Sequence, residues 1–367
     1  MNKILTILLL SLLASGVMQA KKKFTLKRGI NIAHWLSQSE TRGELRERFF
    51  TEKDVKYIAS LGFDHIRIPI DEEQMFDIQG NKETEAFALL ERAIDQCLKE
   101  RLKVVVDLHI LRSHFFNAAE KPLFTQATAQ EAFYECWRKL SATLRKYPTN
   151  MVAYELMNEP VADNPEDWNR IALQCYKVIR TLEPKRVIVL GSNRWQSFDQ
   201  VKYLRIPEND QRIIISFHYY NPFLLTHYQA SWTSQRDYNG PVHYPGLVVE
   251  KEEFEGTCPE GLKNSLNWNT KAVYDIEKIR QDFQEAVNVA ARHGLQIYCG
   301  EYGCLNSAPM QDRLRWHGDM EKVFDEMGIS RALWCYREGT IGFGILKEQS
   351  PDNIMLKALC LPDKAKR

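Results

Sequence analysis

An α/β fold, a single closed (β/α)8 barrel, is predicted by three features of this sequence. Eight short β-rich runs alternate with amphipathic helical stretches. Most of the runs are nearly continuous in apolar residues, as parallel strands covered on both faces are. The length of 367 residues suits one barrel of about 250 residues plus insertions. A doubly wound sheet is the alternative, but the glycine-rich phosphate turn that would favour it is missing after the first run, which continues GINIAHWLSQ.

In chain order the strand runs are Gly29–Ala33, His65–Pro69, Lys103–Leu108, Val152–Met157, Arg186–Leu190, Arg212–Phe217, Gln296–Gly300 and Ala332–Tyr336. Helical signals lie between them. Thr51 with Asp54 three residues on marks a helix start. Ala86, Leu89, Leu90, Ala93, Ile94 and Cys97 recur at helical spacing, as do Phe133, Cys136, Trp137, Leu140 and Leu144. Asn164 is placed to cap a helix with Pro165 at its first position, and Trp168, Ile171, Ala172, Cys175 and Ile179 then mark one face. Ile276, Ile279, Phe283, Ala286 and Val287 repeat the pattern. Between the sixth run and that helix, Leu224 to about Asn269 forms a long insertion rich in aromatics. That content predicts an ordered segment walling a cleft.

The N-terminus reads as a secretory signal peptide over residues 1–20. Lys3 precedes the apolar run Ile4–Leu13, small residues follow to Ala20, and the run is too short to span a bilayer comfortably; an uncleaved anchor is the alternative, favoured by the basic Lys21, Lys22 and Lys23 that follow. The remaining domain is then 21–367, periplasmic or secreted, with no stable membrane insertion after signal removal. Without that segment the chain has 48 basic and 48 acidic side chains and no basic block, so no nucleic-acid partner is expected. The eight Cys fall mostly on apolar faces without a C-x-x-C, as buried free thiols do; a disulfide among them has no pairing readable from sequence.

In a barrel, active sites lie at the C-terminal strand ends. Those ends carry Arg67, His109, Asn158, Glu159, His218, Tyr220, Glu301 and Trp334. Any one alone reads as a solvated strand end or a structural ion pair. Together they form a set. Glu159 and Glu301 end strands four and seven, which are not neighbours, so the side chains can face each other across the mouth. A separation of about 5 Å suits retaining glycoside hydrolysis and about 6.5–9.5 Å suits inversion.

RGINIAHWLSQS, GFDHIRIPID, DLH, ELMNEP, FHYYNPFLLTH, YCGEYG and ALWCY occur in the order found in glycoside hydrolase family 5. From about Arg28 to the last strand the chain resembles the small clostridial endoglucanases of that family, including THYQASW in the long loop. The resemblance implies Glu159 as acid/base and Glu301 as nucleophile, with Arg67, His109, Asn158, His218, Tyr220 and Trp334 about the substrate. Trp35 and Trp232 are weaker candidates for sugar contact, as is Trp195, each as readily core or rim. No metal or cofactor is implied. Two departures stand out: Ile110 follows His109 where the family often has a second His, and Asn193-Arg194-Trp195 follows the fifth strand.

The expectation is a monomeric retaining endo-β-1,4-glucanase acting on a β-linked oligo- or polysaccharide, with mixed-linkage glucan as a further substrate. A mannanase or exo-β-1,3-glucanase is the rival on the same scaffold, and a non-catalytic carbohydrate-binding barrel the rival of another class. A serine hydrolase lacks its G-x-S-x-G elbow and a zincin its H-E-x-x-H.

Overall fold

The computed structural model describes residues 23–337, 342–347, 350–351 and 353–359. Residues 1–20, where a signal peptide is expected, and Cys360 lie outside the described residues. Eight parallel strands close into a barrel: β1 Arg28–Asn31, β2 His65–Asp71, β3 Lys103–Ile110, β4 Val152–Glu155, β5 Val187–Gly191, β6 Ile213–Tyr219, β7 Gln296–Tyr302 and β8 Ser330–Leu333. Each pairs with the next, and β8 closes on β1 with Ala332 opposite Gly29.

Strand alternation divides the side chains between two cores. Val104, Val106, Val152, Tyr154, Ile188 and Leu190 point outward into the main core shared with the helices. Val105, Ala153, Val187, Val189, Ile214, Tyr298 and Ala332 form a separate cluster inside the barrel, joined by Phe24 and Leu26. The same inward parity on β3 and β4 carries Asp107 above Val105 and Glu155 above Ala153, so charge replaces apolar bulk toward the C-terminal mouth.

The helices form where the periodicity places them. Thr84–Lys99 buries Ala86, Leu89, Leu90, Ala93, Ile94 and Cys97; each large apolar side chain so covered contributes about 1.5–3 kcal/mol. Asn164 Oδ1 accepts the Glu166 N–H at 3.0 Å ahead of Pro165–Leu182, and the Thr51 N–H donates to Asp54 Oδ2 at 2.8 Å ahead of Glu52–Ser60. After β5 a single turn, Asn193–Gln196, and a short 3-10 helix, Phe198–Tyr203, stand where a long helix would be.

The insertion after β6 is ordered. It holds helices Lys251–Thr257 and Glu260–Leu266 and a short antiparallel pair, Gly246–Leu247 with Val273–Tyr274. Tyr238 and Tyr244 are buried in it, and Tyr244 donates to Asp319 Oδ2 at 2.9 Å, tying the insertion to helix Met310–Met327. Cys97, Cys136, Cys175, Cys258, Cys299 and Cys304 are buried free thiols, and Cys335 is buried as well. Among the described residues no helix is long and apolar enough to cross a membrane.

Candidate active site

The floor of the barrel mouth is an ion cluster built around Arg67. Its guanidinium donates to Glu155 at 2.7 Å through Nε, to Glu301 Oε1 at 2.7 Å and Asn31 Oδ1 at 3.0 Å through Nη1, and to Asn158 Oδ1 at 2.8 Å through Nη2. Asp107 Oδ2 lies 3.0 Å from Nη2. Arg67 is fully buried. This corrects its expected place among substrate contacts: β2 runs on to Asp71, so Arg67 sits inside the barrel body beneath the carboxylates rather than at an exposed strand end.

Glu301 reaches this cluster because β7 is irregular. Phe217 pairs with Cys299 but His218 pairs with Glu301, so Gly300 is one residue extra. Without that bulge, Glu301 would follow the outward parity of Cys299; with it, the carboxyl turns inward. Glycine suits the position, because a Cβ would press on its neighbours, 3.0 Å from Ser216 Oγ and 3.2 Å from His218 Nε2. Tyr220 donates its hydroxyl to Glu301 Oε2 at 3.0 Å, opposite the side held by Arg67.

Glu159 follows β4 in a left-handed conformation, φ 44°, uncommon for a residue with a side chain. His218 Nδ1 lies 3.0 Å from Glu159 Oε1 and 3.6 Å from Glu301 Oε2. One donor atom each of Glu159, His218 and Glu301 lie within 4.8 Å of one another. Such a trio could in distance accept a cation, but both Glu301 oxygens already accept from Arg67 and Tyr220, and a cation would stand close to the guanidinium.

Electrostatics follow from burial and from one cation among four carboxyls. Burial pushes Glu159 well above the usual carboxylate range; the adjacent Glu301 adds to the rise and Arg67 opposes it. Burial also raises Glu301, against the opposing pull of Arg67 and the Tyr220 hydroxyl. Asp107 is pushed up to about 7 by burial, with Arg67 opposing, and Glu155 rises for the same reason. His218 is driven well below its ordinary value by burial, then by Arg67, so it is neutral.

His109 is lowered to about 3 by burial and is neutral too. Its Nδ1 lies 2.7 Å from Asp107 Oδ2 and its Nε2 lies 3.0 Å from Gln38 Nε2. The tautomer that fits has Nδ1–H donating to the carboxylate and Nε2 accepting from the amide. Both nitrogens are thus engaged within the protein. A sugar hydroxyl can reach His109 only if Gln38 gives way.

Two connected hollows open above these groups. One, of about 320 Å³, is bordered by Glu159, Glu301, Asn158, His109, Trp334 and Gln38. The other, of about 520 Å³, is bordered by Glu159 and His218 but not Glu301, with Trp195, Phe198 and Trp232 on its wall. A larger hollow of about 690 Å³ lies at the opposite end of the barrel around Phe24, Lys185 and Arg212, and no carboxylate lines it.

Trp334 is 6% exposed and stacks parallel on His109, ring centres 5.6 Å apart. Trp232 and Trp195 are 44% and 47% exposed at the rim. Trp35 must be withdrawn from the site. It is 1% exposed, packs on Phe50 and gives its indole N–H to the Arg46 carbonyl at 2.8 Å, so no face is open to a ligand. Sequence reasoning missed Asn31, Gln38, Asp107, Glu155 and Gln196. The available signal was charge inside β strands: Arg67, Asp107 and Glu155 interrupt apolar runs at inward positions, and buried charges pair.

Two carboxyls this close at the mouth of a closed barrel define a class, the (β/α)8 glycoside hydrolases. Comparison with known proteins narrows it. The model of the cellulase family (glycosyl hydrolase family 5) matches residues 27–339. Endoglucanase C of Acetivibrio thermocellus is 33% identical over 322 residues, covering 86% of this chain and 92% of its own. Cellodextrinase A of Ruminococcus flavefaciens is 33% identical over 322 residues, covering 86% and 87%. A solved endoglucanase structure superposes with a TM-score of 0.72 at 26% identity, over 91% of this chain and 96% of its own. The chain belongs to glycoside hydrolase family 5, and it is a glycoside hydrolase acting on polysaccharide.

Proposed function

We propose that this enzyme is a retaining endo-β-1,4-glucanase, with Glu301 as nucleophile and Glu159 as acid/base. The observation that carries this reading is that one oxygen of Glu159 and one of Glu301 lie within 4.8 Å of each other, both beside His218 Nδ1, an approach that suits the about 5 Å of retaining enzymes. Glu301, gripped by Arg67 and Tyr220, attacks the anomeric carbon and forms a glycosyl ester. Glu159, protonated through burial, gives its proton to the departing oxygen. It then takes a proton from the water that cleaves the ester. Asn158, oriented by Arg67, is the contact for the 2-hydroxyl. Trp334 and Trp232 are the aromatic surfaces for pyranose faces, and neutral His218 exchanges a hydrogen bond with Glu159.

The choice of a cellulose-like glucan is supported by the similarity to an endoglucanase and a cellodextrinase. The N-terminal pattern of residues 1–20 supports export to the periplasm or medium, and a monomer is the working assembly. Reducing ends released from barley glucan, carboxymethylcellulose, mannan, xyloglucan and laminarin test the reading. Mid-chain cleavage of the first two, absent in Glu301→Gln, is the expected result. Turnover of mannan or laminarin alone would reassign the substrate, and tight binding without hydrolysis would make the protein a binder.

A further inference from the structure

The turn after β5 is strained and firmly held. Arg194, Trp195 and Gln196 are all left-handed, with φ of 51°, 58° and 51°. Three successive L-residues in that region persist only where the surroundings hold them. Four hydrogen bonds do so, and all of them join this turn to the segment of Glu159. Gln196 Oε1 accepts the Glu159 N–H at 2.8 Å. The Trp195 N–H donates to the Pro160 carbonyl at 3.3 Å. Asn193 exchanges two bonds of 2.9 Å with the backbone of Ala162.

Gln196 is also fixed from below. Its Nε2 donates to Glu155 Oε1 and Ser216 Oγ, each at 3.0 Å. Gly191, the last residue of β5, leaves the room it occupies: a Cβ there would lie 2.5 Å from Gln196 Cδ. Gln196 is therefore completely buried and fully bonded, while its neighbour Trp195 stands half exposed over the hollow that contains Glu159 and not Glu301. The nucleophile marks the glycone side of the scissile bond, so that hollow is where the leaving sugar chain lies.

We infer that Gln196 is a positioning residue for the acid, and that the 194–196 turn is a strut linking an aglycone platform, Trp195, to the backbone of Glu159. The inference rests on the glycosidase reading above. Gln196 touches no substrate. By holding the Glu159 N–H it fixes the left-handed turn that aims the carboxyl at the glycosidic oxygen. Trp195 presents its ring to the first sugars of the leaving chain. Binding there and proton donation are thereby carried by one rigid piece of backbone.

The test compares Gln196→Ala, Gly191→Ala and Trp195→Ala with wild type on phenyl cellobioside, 2,4-dinitrophenyl cellobioside and cellopentaose. Gln196→Ala should lose about 10- to 100-fold in kcat/KM on the phenyl glycoside, which needs a proton, and about threefold or less on the dinitrophenyl glycoside, which does not. Gly191→Ala, which displaces Gln196 without removing it, should show the same split. Trp195→Ala should raise KM for cellopentaose about tenfold more than KM for either aryl glycoside, a loss of one aromatic sugar contact. Trp195 is exposed, so that variant folds even if the two buried ones do not. Equal losses across leaving groups, or equal KM changes for Trp195→Ala, overturn the inference while the glycosidase reading stands. A wild-type enzyme that turns over no β-glycoside overturns both.

Discussion

Arg67 Nη1 lies 2.7 Å from Glu301 Oε1, with the arginine wholly buried beneath the glutamate. The pair is the pivot of the site. The guanidinium fixes Glu301 in one orientation and also binds Asn158, so the attacking carboxylate and the 2-hydroxyl contact share one anchor. Its planar fork, with separate nitrogens for Glu301 and Asn158, is one that lysine cannot reproduce.

Removing the charge from Glu301 while keeping its shape should stop turnover. Glu301→Gln is expected to lose about 10⁴-fold or more in kcat, as loss of a covalent nucleophile does. Calorimetric titration with cellotetraose should still show binding. Retention of more than a few per cent of activity would transfer the role elsewhere.

Glu159→Gln should split substrates by leaving group. Cellopentaose should lose about 100-fold or more, because the acid step is gone. A 2,4-dinitrophenyl glycoside should form the glycosyl enzyme at near the wild-type rate, seen as a burst of dinitrophenol followed by slow deglycosylation. Equal loss in both first steps would contradict the acid assignment.

The pH profile of kcat/KM should be a bell whose limbs belong to the coupled pair. Activity falls as pH rises through the elevated Glu159 value, because the donor proton is lost. It falls as pH drops through the Glu301 value, because the nucleophile is protonated. Tyr220 donates to the charged form of Glu301 and lowers its value. Tyr220→Phe should therefore move the acidic limb to higher pH and leave the alkaline limb in place. An unmoved acidic limb would show that the hydroxyl does not act on Glu301.

Two tryptophans should separate stability from binding. Trp35→Ala opens a cavity in the main core and orphans the Arg46 carbonyl, at a cost of ~3–5 kcal/mol read from denaturant unfolding. Trp232→Ala, at the rim, should leave the unfolding midpoint near wild type and raise KM on barley glucan. The reverse pattern would put Trp35 back among the ligand contacts.

The barrel was legible because its strands are apolar runs and its helices carry regular stripes, two signals that hold without tertiary knowledge. The residues at the mouth were legible mainly as motifs. Glu301 shows why: counted by alternation from Tyr298 it falls on the outward face, and only the extra residue at Gly300 turns it in. A bulge leaves no mark in hydrophobic pattern. Asp107 and Glu155 were passed over inside continuous strands, although they lie opposite each other in register, each beside Arg67. Trp35 misled in the other direction, since an indole after a strand end reads alike whether it covers a core or a sugar. The strut at Gln196 was beyond reach of the sequence, because three left-handed residues without a glycine are set by contacts from the loop after β4 and from β4 and β6 themselves.

The most direct test of the two-carboxylate account is the stereochemistry of the first product. Proton NMR recorded within the first minutes of cellopentaose hydrolysis, before mutarotation, reports the anomer released at the cleaved bond. Glu301 attacking and Glu159 activating water should give the β-anomer first, with the α-anomer growing in later. An α-anomer at the earliest times would mean a single displacement by water and would contradict a covalent bond to Glu301.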